Sequence, residues 1–402
     1  MNSWWDTPSN SEFLSYIADQ SWLGNIVLVY VPKHLPAGFI PGLKRVLNKR
    51  DVKHIERLNL KNYNPQNFTN LEEVLYDHFE LGSESKYIPK KIKDIFHNLQ
   101  ADEIGALFLE NISSPFKKHF CVFIDALRRH LLNINTNERQ KVICIIDSVN
   151  ITYDDIPDEV GIKKILYQEV FDKLDNLFGL RYLLEKNDSD HFGINNLVIS
   201  YTSAFDYGFI EELSDLDDLF FSDISFINTS EKNEEWKNLC YKPAESLTKE
   251  DIWERWALGI LEKKNGQIIY HVSFLKEKKK IKEIYKRIWN AELEIILPLI
   301  ENIRFHIVEN NKIIFPKNYF NIKTGLTKSD KYEFEIGEIS FLMDTYLIKF
   351  IHFSATEKSK IKQFVRLCKG IRNDLSHMRN MTQNDLRLFF EGYKKISAML
   401  KN

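Results

Sequence analysis

The sequence predicts an α/β domain with a mostly parallel sheet, followed by an all-α helical bundle. Continuous apolar runs of strand length alternate with helical stretches over residues 1–240, and from residue 276 onward each long segment carries apolar residues at helical spacing. A chain of 402 residues exceeds one ordinary core, and its 44% apolar content, including 13% aromatic residues, supports packed domains over disorder. The expected division is residues 1–240, a connecting helical segment 241–275, and the bundle 276–402.

In chain order, SNSEFLSYIADQSWLG reads as an amphipathic helix, and NIVLVYVP as a strand bounded by Gly24 and Pro32 and covered on both faces. The helical HFCVFIDALRRHLL precedes a second strand, KVICIID at 141–147, and NNLVISYTS at 195–203 reads as a third. An acidic, aromatic stretch follows at 205–226, then LTKEDIWERWALGILEKKNGQ, where a Thr cap opens a helix that Gly266 ends. From Lys276 a long helix carries Ile281, Ile284, Ile288, Leu293, Leu297 and Ile300, with Pro298 expected to kink or split it. Three further helical segments, 332–350, 354–380 and 382–402, complete a bundle of four or five helices.

Charge divides the chain. From His271 to the end there are 25 Lys+Arg against 15 Asp+Glu, and in the rest 30 against 42. A basic C-terminal part suits a polyanion such as RNA, or an acidic neighbour that includes the chain's own N-terminal part; the acidic stretch Glu211 to Asp218 is a candidate cover. No apolar run approaches the roughly 20 residues of a membrane helix, and MNSWWDTPSNSEF lacks a basic start before an apolar stretch, so a cytosolic protein with no membrane partner is expected. Cys121, Cys144, Cys240 and Cys368 are far apart and read as buried free thiols. No spacing suggests a metal site or a Cys/His nucleophile pair, and no cofactor is expected.

The early strand, the strand VICIID ending in an acid, and LVISYTS ending in hydroxyls together resemble the core of signal-transduction-type P-loop ATPases. In that family the first strand runs into G-x-x-x-x-G-K-[ST], which cradles phosphates. Here the strand runs into KHLPAGFIPGLKR: Gly38 and Gly42 are present, no G-K-[ST] follows, and Pro36 and Pro41 remove two N–H donors. Asp147 stands where the family's magnesium-holding acid sits, or simply caps the next turn, and no glutamate follows it. The resemblance implies an inactivated ATPase-like module, without nucleotide-binding residues, that serves as a sensor or docks a protein partner through residues 1–240.

The second candidate is KGIRNDLSHMRN, 369–380. Metal-free RNA cleavage needs a proton taken from the 2′-hydroxyl, charge stabilised on the phosphorane, and a proton given to the 5′-oxygen. Histidine moves protons near neutrality and arginine offers phosphate a fixed fork of donors. Arg372, Asn373 and His377 fit that need, with Asp374 and Arg379 in support. An isolated pair of this kind is also compatible with a surface or structural role. Five residues of regular helix turn about 500°, leaving Arg372 and His377 roughly 140° apart and ~7.5 Å apart along the axis, so a two-fold dimer is the simplest way to converge them on one phosphate.

R-N-D-L-S-H on the next-to-last helix of a basic bundle resembles the Arg-x4-His motif of HEPN domains, the higher eukaryote and prokaryote nucleotide-binding superfamily, over the last third of the chain. That resemblance implies a homodimeric endoribonuclease of a prokaryotic stress or phage-defence system, acting on RNA such as tRNA. The alternative is a non-catalytic adaptor whose bundle serves dimerisation or RNA binding.

Overall fold

The computed structural model describes residues 4–81, 91–98, 105–186, 200–203, 210 and 234–401, apart from 34, 53, 113, 137, 138, 171, 172, 318 and 322–324. The chain forms two compact units: Met1–Tyr182 with Ala204–Gly208 and Glu231–Phe274, and Leu183–Ser203 with Phe209–Ser230 and Leu275–Asn402.

The first unit is an α/β layer structure. Its elements are α1 (Pro8–Trp22), β1 (Ile26–Val31), α2 (Phe39–Asn48), β2 (Ile55–Asn59), α3 (Leu71–His78), α4 (Ile92–Asn98), β3 (Ala106–Glu110), α5 (Lys117–Leu132), β4 (Lys141–Asp147) and β5 (Ile162–Leu166), with α6 (Lys173–Lys186) after them. The five strands are all parallel, in the order β2-β3-β4-β1-β5. Every residue of β1 and β3 is buried, as both faces are covered by helices. Pro8 stands at the start of α1, whose Phe13, Leu14, Ile17 and Ala18 join Trp5, Val27, Val29, Leu43 and Ile143 in the core.

β4, which ends in Asp147, lies directly beside β1. Of the expected third strand, 195–199 lie outside the described residues, and Ser200–Ser203 are helical. β5 (IKKIL) takes the place beside β1 instead. As an edge strand it tolerates Lys163 and Lys164, which conceal it from a search for apolar runs.

Glu231–Phe274 belong to the first unit, Leu275 to the second, and this part of the first unit contains two α-helices and an antiparallel hairpin. The elements of this region are α7 (Glu234–Asn238), α8 (Lys249–Ala257), β6 (Leu261–Lys264) and β7 (Gln267–Tyr270), with α9 (Val272–Glu277) next. The Thr248 cap is present as a capping box with Asp251.

The second unit is built on α10 (Ile281–Glu309), α11 (Ile336–Asp344), α12 (Ala355–Ser376) and α13 (Gln383–Lys401), which pack against one another. Two short antiparallel pairs lie in the same unit, Ile313–Ile314 with Lys349–Phe350 and Tyr319–Asn321 with Leu326–Lys328. Pro298 neither splits nor ends α10. Buried Ile295, Ile296, Ile300 and Ile303 fix the helix on both sides of it, offsetting the lost N–H. Leu293 and Leu297 are only half-buried, and Glu292 occupies the core side instead. Ser354 and Glu357 form a reciprocal capping box that starts α12. Cys144 and Cys368 are buried as expected, Cys121 is half-buried, and Cys240 is exposed.

Candidate functional site

The end of α12 carries the arginine and histidine together with their supports. Ile371 and Leu375 face the core, which turns Asn373 and His377 outward and leaves Arg372 half-buried at the flank. The helix ends at Ser376 and His377 is its C-cap, its N–H donating to the Asn373 and Asp374 carbonyls at 3.1 and 3.0 Å. Met378 then takes a left-handed φ of 56°, and the Arg379 N–H returns to the Asp374 carbonyl at 2.9 Å. The turn thus sets His377 on an exposed corner, and its imidazole has no hydrogen-bond or ionic partner among the described residues.

Arg372 is engaged. Its Nη2 lies 2.7 Å from Glu335 Oε2, the N-cap of α11, which also accepts the Glu338 N–H in a capping box. Glu338 is in turn held by Lys328 Nζ at 2.6 Å. Arg372 is 37% exposed and Glu335 60% exposed, so the pair sits in high dielectric and a phosphate can compete for the guanidinium. Asp374 approaches Arg379 at 3.4 Å, a loose exposed pair. Within one chain, the regular helix up to Ser376 keeps Arg372 and His377 on different faces, as the spacing requires.

Beneath this turn the sequence reading missed a buried acid. Glu292 on α10 is fully buried and its Oε2 accepts the Met381 N–H at 3.1 Å. Burial pushes its carboxyl up to about 8, against the opposing pull of that hydrogen bond. The signal for it is positional, since Ile288 and Ile296 stand four residues away on either side. Trp289 is half-buried and its Nε1 donates to the Leu375 carbonyl at 2.7 Å, so it stacks on no base in this arrangement.

In the first unit a cleft of about 360 Å³ opens at the carboxyl ends of the strands, lined by residues that include Val31, Pro36, Gly38, Arg57, Glu110 and Asp147. Parallel sheets bind ligands at this position, where connections leave in opposite directions. The two glycines of the loop have other work here. Gly38, at φ 93°, forms the left-handed turn into α2. At Gly42 a Cβ would lie 3.0 Å from Leu14 and 3.1 Å from Trp5, so this glycine permits close packing of α2 on α1. The Pro36 and Ala37 carbonyls accept from Trp5 Nε1 at 3.2 and 3.1 Å. Lys33 is paired with Glu235 at 2.6 Å.

Asp147 caps the following turn, accepting the Val149 N–H at 3.0 Å and the Asn150 side chain at 3.2 Å. Opposite it, Arg57 makes a bidentate pair with Glu110 at 2.5 and 2.7 Å, which raises the arginine's proton affinity further. The cleft therefore holds two carboxylates and one guanidinium already in use, which suits a polyphosphate poorly. No group of three or more His, Cys, Asp or Glu residues that could hold a metal ion occurs among the described residues. No helix among them is long and apolar enough to cross a membrane.

No family model matches the chain, and no curated protein matches it. Among solved structures the chain is similar to the replication initiator DnaA bound to AMPPCP and single-stranded DNA, with a TM-score of 0.32 and 9% identity over 98% of this chain and 90% of that one. It is also similar to a DNA replication initiation factor, with a TM-score of 0.29 and 11% identity over 97% of this chain and 90% of the other.

Proposed function

We propose that the chain is a metal-independent endoribonuclease whose site is assembled from two copies of the α12 end. The observation that carries this reading is the exposed His377 imidazole, without a side-chain partner among the described residues, one turn beyond an Arg372 whose ion pair with Glu335 is solvent-exposed. In the reaction His377 takes the 2′-hydroxyl proton, and the 2′-oxygen attacks phosphorus. Arg372 stabilises the added charge on the phosphorane. The 5′-oxygen then leaves with a proton, supplied by an imidazolium, giving 2′,3′-cyclic phosphate and 5′-hydroxyl ends. Asn373, exposed on the same stripe as His377, orients phosphate, and Asp374 with Arg379 supports the turn. Residues 1–240 form an ATPase-like module acting as sensor or partner-docking element in a stress or phage-defence system. The acidic stretch 211–218, read as a cover for the basic bundle, lies outside the described residues.

Incubation of wild type, Arg372→Ala and His377→Ala with total RNA and defined tRNAs in EDTA tests the proposal. Cleavage by the wild type alone, with both variants still folded, supports it; intact RNA in every lane rejects it.

A second reading is favoured by the Arg372–Glu335 pair itself, which can be structural. The chain is then an adaptor whose bundle dimerises or binds RNA without cutting. An adaptor leaves RNA intact and keeps its partner binding in His377→Ala.

A further inference from the structure

Glu292 is a carboxylic acid that the proposed chemistry does not use. Its Oε2 holds the Met381 N–H at 3.1 Å, and its Oε1 is buried with no hydrogen-bond partner among the described residues. The same side of α10 grips the connection between α12 and α13 twice more. Trp289 Nε1 donates to the Leu375 carbonyl at 2.7 Å, and the Tyr285 carbonyl accepts from the Asn380 side chain at 3.1 Å. Positions 285, 289 and 292 are spaced by four and three residues, which puts them on one helix face. One face of α10 therefore clamps the chain on both sides of His377.

The protonation state of this acid matters for the clamp. Burial raises its proton affinity; the Met381 N–H is the one influence against it, and no charged side chain of α11, α12 or α13 acts on it among the described residues. A neutral carboxyl suits the site, with the carbonyl oxygen accepting from Met381 and the proton kept on the other oxygen. An ionised carboxyl in the same place lacks the partners a buried charge needs and is relieved only when water reaches it.

We propose that Glu292 is a positioning residue for His377: as a neutral acid it closes the Leu375–Met381 connection onto α10, and when it ionises it releases that connection. Its consequence for RNA cleavage rests on the ribonuclease reading, whereas the clamp does not.

The test is hydrogen exchange of the amides of residues 378–382 in the full chain, corrected for intrinsic rate, at pH 6.5 and 9, for wild type, Glu292→Gln and Glu292→Ala. Glutamine accepts from Met381 and does not titrate. Wild type should lose protection about tenfold at pH 9, one pH unit above the midpoint; Glu292→Gln should be protected at both pH values and Glu292→Ala at neither. Equal losses in wild type and Glu292→Gln overturn the proposal, as does full protection in Glu292→Ala. If Glu292→Ala does not fold, the comparison with Glu292→Gln decides alone. In single-turnover cleavage at pH 6.5, Glu292→Gln should keep the rate and Glu292→Ala lose at least tenfold with unchanged RNA affinity. Absence of cleavage in all three proteins rejects the ribonuclease reading and leaves the exchange data to decide the clamp.

Discussion

Replacing Glu262 by glutamine should change how the stability of the first unit depends on pH. Glu262, on β6, is 8% exposed and accepts the Lys263 and Glu169 N–H groups at 2.9 and 3.3 Å. Burial, and secondarily the Glu169 carboxylate, raises its carboxyl from an ordinary 4.5 to about 8, outweighing those hydrogen bonds. Buried Tyr167 also faces this charge. Between pH 4.5 and 8 the unfolded chain gives up the proton and the folded chain keeps it. Stability is therefore fullest below about 4.5, falls as pH rises through that window, and levels above 8. At about 1.4 kcal/mol per pH unit, the whole window is worth up to about 5 kcal/mol. Glu262→Gln removes this slope and adds a pH-independent cost of about 1–3 kcal/mol for its second amide hydrogen. Urea unfolding at pH 5, 6.5 and 8, followed by Trp fluorescence, measures the effect. The difference between variant and wild type should grow in the variant's favour by several kcal/mol from pH 5 to 8. Parallel pH profiles would refute the reasoning.

Further outcomes follow from other contacts. Arg372→Ala should lower the dependence of log RNA affinity on log salt by about 0.7, one single-strand phosphate contact, in fluorescence anisotropy titrations; an unchanged slope removes Arg372 from the RNA surface. His377→Ala should slow cleavage by about 10²–10⁴-fold without moving the melting temperature, because the ring is exposed. Gly392→Ala places a Cβ 2.3 Å from Phe364 and should cost about 1–3 kcal/mol in urea unfolding. Arg57→Ala leaves the largely buried Glu110 carboxylate without its bidentate partner and should cost about 1–3 kcal/mol in urea unfolding.

The legible parts of the fold were those in which burial acts on consecutive residues. IVLVYV and KVICIID read as strands because both faces of the central sheet are covered. ALFLE at 106–110 carries the same signal and ends in an acid as KVICIID does, so β3 was open to the same reasoning. IERLN and IKKIL were not, because they are edge strands that need only part of their surface buried. The segment 195–203 shows the converse, since its described residues are helical despite an apolar run.

At the sites, local chemistry was legible and long-range pairing was not. The cap of α12, the core positions Ile371 and Leu375 and the outward face of His377 follow from helical spacing. The partners Glu335 for Arg372 and Glu110 for Arg57 are 37 and 53 positions away, and only the folded chain brings them together. Glu292 was hidden because a single charge within a long apolar stripe reads as a face change, whereas a glutamic acid can stay inside by keeping its proton.

The central claim is that Arg372 and His377 cut RNA through the 2′-hydroxyl without a metal. The direct measurement is the chemistry of the product ends after incubation of an end-labelled RNA with purified protein in EDTA. The account predicts 2′,3′-cyclic phosphate and 5′-hydroxyl ends, absent with Arg372→Ala or His377→Ala. Ends with 3′-hydroxyl and 5′-phosphate that appear only when magnesium is added would contradict it, as would RNA left intact by the wild type.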